Sequence, residues 1–235
     1  MAQEKKVAIV TAGGGGIGRA IALELHDRGY DLALMSRSEM CEKTAAEVGG
    51  LGIRGSVTEA QDLSRLVEAT MARFGRIDSV VCHTAHPPKG DLLDIDDEAW
   101  HLGLDMLILN VVRLARKITP IMEAQGGGTW VNISTFAAFE PEQALPVSCT
   151  LRAGLSAFAK LYADRYAGLN IRMNNVLPGF IDSLAHSDTV LSRIPMGRIG
   201  TVDEIAKTTA FLLSDDSGYM TGQNLIVDGG ITRHL

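Results

Sequence analysis

Ser148 and Arg152 stand four residues apart in a stretch of helical character, so their side chains share one helix face and serve one cleft. Just upstream, the strand-like Val131-Asn-Ile-Ser-Thr135 ends in a hydroxyl at Thr135 that can orient a substrate oxygen. A serine hydroxyl is a weak acid and acts only with an adjacent base. Arg152 keeps its proton at any ordinary pH, so its chemistry is binding: a ribose, an oxyanion, or a carboxylate or phosphate held by two prongs. A proton carrier near neutral pH must come from elsewhere, and His83 and His86, just past a strand end, are the candidates. The plainer reading of that pair is packed or solvated loop histidines. Cys149 adjoins Ser148 but points about 100° away around the helix, so it is set aside as a nucleophile. Thr135, Ser148, Arg152, His83 and His86 form the candidate catalytic set.

A second constellation is Thr11-Ala-Gly-Gly-Gly-Gly-Ile-Gly18. Glycines between a strand and a helix let the backbone approach a pyrophosphate, and the helix N-terminus offers unpaired N–H groups with a partial positive charge. Thr11, Gly13, Gly14, Gly16, Ile17 and Gly18 are the candidate cofactor contacts there. Two residues past the second strand's apolar run, the chain reads Ser36-Arg37 where NAD sites place an acid. A hydroxyl and a guanidinium suit the 2′-phosphate of NADP, with NAD the lesser candidate; the alternative is a solvated Arg37.

Short apolar runs alternate with longer stretches of helical period, which predicts βαβ units and a parallel sheet. Strands are expected at Val7–Val10, Asp31–Met35, 52–55, Ile77–Cys82, Thr129–Ser134, Ile171–Leu177 and Gln223–Val227. One long helix is expected from about Asp96 to Gln125, and another from about Val147 to Ala167. No linker or repeat divides residues 1–235, so one domain is expected.

The 235 residues carry a net charge of −6 without a basic run, which argues against nucleic acid or an anionic membrane as partner. Three widely spaced cysteines form no metal-ligand or disulfide pattern, and no metal site is expected. The opening six residues are too short and wrongly flanked for a signal peptide. A cytoplasmic protein acting on a small molecule is the expectation.

With these residues in view, the chain resembles the short-chain dehydrogenases/reductases from residue 7 to its end. The resemblance rests on Thr11–Gly18, Val131–Thr135, Asn174-Asn-Val-Leu-Pro-Gly-Phe-Ile181 and Tyr219-Met-Thr-Gly-Gln-Asn-Leu-Ile-Val-Asp-Gly-Gly230. It implies a Rossmann-type doubly wound α/β fold with a seven-stranded parallel sheet. It also implies cofactor contacts from Arg152, Pro178, Gly179 and Ile181, and assembly as a homo-oligomer, a dimer or tetramer. The family's catalytic Asn, Ser, Tyr and Lys fall on Leu107, Thr135, Ser148 and Arg152, with Asn110 just beyond the first. Ala12 replaces the first motif glycine, Ser56 an adenine-binding Asp, and Cys82-His83-Thr84-Ala85 an Asn-Asn-Ala-Gly. The lid Phe180–Arg193 is short and polar.

The leading expectation is an NADP(H)-dependent oxidoreductase of a small carbonyl or alcohol with a nonstandard active site. The alternatives are a lyase, dehydratase or isomerase on the same scaffold, and a nucleotide-binding protein without catalysis.

Overall fold

The computed structural model describes residues 5–233; the first four residues of the opening segment and the last two residues of the expected domain lie outside the described residues. Seven parallel strands form one sheet: β1 Val7–Thr11, β2 Asp31–Ser36, β3 Leu51–Arg54, β4 Ser79–Cys82, β5 Gly128–Ile133, β6 Ile171–Pro178 and β7 Asn224–Val227. Their order is β3-β2-β1-β4-β5-β6-β7. β1, β4 and β6 are buried throughout, as strands covered on both faces must be; β1 and β4 accordingly read as near-continuous apolar runs, while β6 also buries Arg172, Asn174 and Asn175.

Helices α1 Gly16–Asp27, α2 Met40–Glu47, α3 Ala60–Phe74, α4 Asp97–Leu104, α5 Asn110–Gln125, α6 Pro146–Tyr166, α7 Asp188–Leu191 and α8 Val202–Leu213 complete the fold. One core joins Ala8 and Val10 to Ile21 and Leu25 of α1 and to Ile205 and Leu213 of α8. The other joins Ile9 and Val80 to Leu63 and Leu66 of α3, Leu114 and Ile118 of α5, and Leu155 of α6. Alternate residues of one strand therefore feed opposite cores, which is the doubly wound arrangement.

The helix expected over 96–125 is continuous in path but has one turn widened at 105–109 into π geometry. There the Asn110 amide N–H donates to the Asp105 carbonyl, and the Asn110 side-chain amide donates to the Met106 carbonyl that a regular α-turn would have used. The side chain thus satisfies the acceptor that the wider turn releases.

Asn132, Asn175 and Asn224 face one another across β5, β6 and β7. Their amides form a ladder, Asn132 Nδ2 to Asn175 Oδ1 at 2.8 Å and Asn175 Nδ2 to Asn224 Oδ1 at 2.7 Å. It ties together the strands that lead to Thr135 and Pro178.

Candidate active site

The sheet order reverses at β1, whose neighbours are β2 and β4, and ligand crevices in such sheets open at the carboxyl ends of the strands on either side of the reversal. The glycine loop leaves β1 at this point and enters α1. Gly15 precedes α1 without a side-chain cap, so no hydroxyl or carboxylate occupies the amides of its first turn. By contrast α8, packed beside it, is closed by a reciprocal capping box between Thr201 and Glu204. One N-terminus is sealed; the other is left open for an anion.

Two adjoining cavities flank this loop and share Gly15, Thr84 and Ala85, so they form one trough. The first, of about 480 Å³, is lined by Gly14, Ser36, Arg37, Ser56 and Thr58 among others. Arg37 is exposed at its edge and has no ion pair among the described residues. The acids nearest in sequence are engaged: Glu39 by Lys43, Glu42 by Arg54. A free guanidinium and the Ser36 hydroxyl, which donates to the Ser38 carbonyl at 3.0 Å, therefore face the trough where an acid would repel phosphate.

Thr11, Gly13 and Gly18 do not line either cavity. Thr11 is buried and its hydroxyl donates to the His83 carbonyl at 2.7 Å and accepts from the His83 amide at 2.8 Å, binding the ends of β1 and β4. Gly18 is required by packing, because a Cβ there would lie 2.2 Å from the Ala12 carbonyl oxygen. Ala12 sits at φ 52°, a left-handed conformation that the family's glycine would adopt without strain.

The second cavity, of about 510 Å³, brings together Thr135, Ser148, Arg152, His83 and His86. Gly16, Ile17, Pro178, Gly179 and Ile181 line it as well. β5 delivers Thr135, whose oxygen accepts from the Ala137 amide at 3.4 Å and keeps its own hydrogen free to donate. Pro146 starts α6 in the place where its missing N–H costs nothing, and puts Ser148 in the first turn. Ser148 is 4% exposed, and its hydroxyl makes no hydrogen bond within the described residues.

Arg152 is 5% exposed. Its Nη1 donates to the Ile133 carbonyl at 2.6 Å, while its buried Nε has no partner. Burial pulls its pKa down to about 10, and no carboxylate is close enough to offset that. His83 Nδ1 is also buried without a partner. Burial first, then repulsion from Arg152 and His86, pushes the His83 pKa down to about 3, so the ring is neutral at physiological pH. His86 is exposed on the cavity edge and is also shifted down, by burial, then Lys89, then Arg152. The sequence offered the two histidines as equivalent proton carriers; the environment separates them, since His83 is half-buried with its Nδ1 enclosed and His86 is exposed.

Leu107, on the family's Asn position, is buried, and Asn110 spends its amide on the π turn; neither lines the trough. Cys149 is raised above the usual thiol range by burial and lies in a separate apolar cluster with Phe136 and Ile194. The lining also holds residues to which the sequence gave no role, among them Ser134, whose buried hydroxyl lacks a partner, Phe136 and Lys89. Lys89 had a usable signal, a base in the loop just past β4. His186, in the polar lid, donates from Nε2 to the Ile181 carbonyl at 2.8 Å and packs edge-on against Phe180 at 5.2 Å.

A family model described as enoyl-(acyl carrier protein) reductase matches residues 11–232. The chain belongs to the short-chain dehydrogenase/reductase family. Among its relatives, dehydrogenase/reductase SDR family member 4 of Oryctolagus cuniculus is 32% identical over 98% of this chain and 95% of the relative. A 3-oxoacyl-(acyl-carrier-protein) reductase of Thermotoga maritima is 30% identical over 98% of this chain and 99% of its own. In three dimensions the chain is similar to L-sorbose reductase of Gluconobacter frateurii, solved with NADPH and L-sorbose, with a TM-score of 0.92 and 27% identity over 100% of this chain and 99% of the other. The short-chain dehydrogenase/reductase fold expected from the four sequence segments is therefore shown. Among the described residues no helix is long and apolar enough to cross a membrane.

Proposed function

We propose that this chain is an NADP(H)-dependent oxidoreductase of a small, polar carbonyl or alcohol compound. The observation that carries the reading is the free Arg37 beside an uncapped α1, on a trough that runs unbroken to Arg152. The residues fit the dinucleotide: amides of 14–17 for the pyrophosphate, Ser36 and Arg37 for a 2′-phosphate, and 178–181 for the nicotinamide half. Bound there, the cofactor supplies or accepts a hydride.

The chain's own groups do the rest. Thr135 donates its hydroxyl hydrogen to the substrate oxygen. Arg152 stabilises the negative charge that grows on that oxygen, an effect strengthened by its burial. His86 exchanges the proton with solvent, and neutral His83 contributes shape rather than charge. General acid–base help is worth about 10²–10⁴ in rate, so this arrangement is a slow but competent one. The structural similarity to L-sorbose reductase, which was solved with NADPH and L-sorbose, supports this reading.

Fluorescence titration tests it. NADPH binds tighter than NADH, and Arg37→Ala weakens NADPH roughly tenfold or more while leaving NADH unchanged. Equal affinities in the wild type, or an unchanged preference in the variant, contradict it.

A second reading, nucleotide binding without turnover, is favoured by one observation. Among the described residues no tyrosine lines the trough; Tyr162 is in the core, its hydroxyl 2.7 Å from that of Thr119. Reductase activity that appears only in a Ser148→Tyr/Arg152→Lys double variant supports this second reading over the first.

A further inference from the structure

The protein carries a net charge of −6, yet among the described residues no Asp or Glu lines the second cavity. What lines it is Arg152, Lys89, His83, His86 and His186. The acids around it are occupied: Glu142 pairs with Arg193, and Asp182 accepts from the Val202 amide at 2.9 Å. The open N-terminal turn of α1 at Gly16 adds partial positive charge of its own, as does the first turn of α6.

Arg152 is the decisive group. A guanidinium that is 5% exposed, with one carbonyl contact and an unpartnered Nε, is costly to bury unless a counter-ion arrives. No ion pair reaches it from any described residue. The cofactor's phosphates belong to the glycine loop and to Arg37. That leaves Arg152, Lys89 and His86 facing the substrate half of the cleft.

We infer that the substrate carries a carboxylate next to its reacting carbonyl or hydroxyl carbon, held by Arg152 with Lys89 and His86. This deepens the oxidoreductase reading: the substrate class is a small oxo- or hydroxy-carboxylate. In the reductive direction the hydride adds to the carbonyl carbon, the C=O π pair moves to oxygen, and that oxygen takes the Thr135 hydroxyl hydrogen, which is replaced by a proton passed in from solvent through His86. The reduced nicotinamide is the electron donor and leaves oxidised. The carboxylate is unchanged and serves as the handle. Arg152 meets one carboxylate oxygen and the neighbouring reacting oxygen together, which fixes the plane of the carboxylate and hence the face of the adjoining carbonyl.

Oxamate, a carboxylate that cannot be reduced, is the probe, measured calorimetrically on the whole protein with and without NADPH. Its neutral ester, ethyl oxamate, and inorganic phosphate are the comparators. Oxamate binds and the ester binds at least about tenfold more weakly, as loss of one charge-assisted contact requires. Lys89→Met, on an exposed loop and neutral to folding, weakens oxamate roughly tenfold, and Arg152→Gln weakens it further. Oxamate uptake also draws protons onto His86, seen as a binding heat that depends on the buffer's ionisation enthalpy.

Equal binding of oxamate and ester, or no binding of oxamate while NADPH binds, overturns the inference and leaves the cofactor reading intact. Tighter binding of phosphate than of oxamate overturns the carboxylate in favour of a phosphate ester. Oxamate binding without any NADPH binding upholds the anion site and sinks the cofactor reading.

Discussion

The two ends of the trough are built on different principles. At the adenosine end the ligand is met mainly by main chain: an uncapped helix, glycines packed against their neighbours, and one free guanidinium. At the other end the ligand is met by side chains whose neighbours set their chemistry: a buried Arg152, a neutralised His83, an exposed His86. Backbone amides survive almost any substitution, so the first end keeps its task while sequence drifts. A phenol and an ammonium are specific chemical agents, and once Ser148 and Arg152 stand in their places the reaction must be supported differently.

Substitutions sharpen that contrast. The largest effect is expected for Arg152→Met. Transition-state stabilisation of the substrate oxygen is lost, and kcat/KM falls by roughly 10²–10³, about 3–4 kcal/mol. Thermal stability does not fall with it, because an unpaired buried charge has been replaced by an apolar chain. A drop in melting temperature parallel to the drop in activity would assign Arg152 a structural role instead.

Next comes the acid limb of stability, set by His83. Its folded pKa, about 3, lies below the ordinary 6.5, so the unfolded chain binds the extra proton between those values. Stability therefore rises with pH across that window and is lost as pH falls through it, on the order of 5 kcal/mol at most. Denaturant melts of His83→Asn are expected to show a flatter dependence between pH 6.5 and 3 than the wild type.

At the main-chain end the effects are on folding rather than chemistry. Gly18→Ala forces a Cβ onto the Ala12 carbonyl, 2.2 Å away, and is expected to cost about 1–3 kcal/mol in a denaturation experiment. The smallest change, Ala12→Gly, relieves the φ of 52° and raises stability by about 0.5–1 kcal/mol, net of glycine's greater freedom when unfolded. Selectivity between NADPH and NADH stays as it was in both, since neither touches Arg37.

Much of this was readable in the chain beforehand, for a physical reason. The strand–glycine–helix pattern is local, so 7–27 announces its own geometry, and Gly75 after an amphipathic run marks the end of α3. Arg37 and the Ser148/Arg152 pair follow from fixed offsets on a strand and a helix. What stayed hidden depends on contacts between distant segments. The π turn needs the Asn110 amide to find the Met106 carbonyl, and helical periodicity does not register one extra residue in a turn. The neutrality of His83 comes from burial beneath strands that the sequence shows only separately. Lys89 sits in a loop whose path is set by Pro87 and Pro88, and nothing in its spacing says that it turns toward Arg152.

One hydroxyl ends the story of the trough. Thr11 Oγ1 both gives its hydrogen to His83 and takes one from the same residue, so it rivets the root of the nucleotide loop to the root of the proton-handling loop. It extends the β1–β4 pairing by one step past Val10 and Val81, so the loop that meets phosphate and the loop that carries His86 and Lys89 start from one common anchor that touches neither cavity.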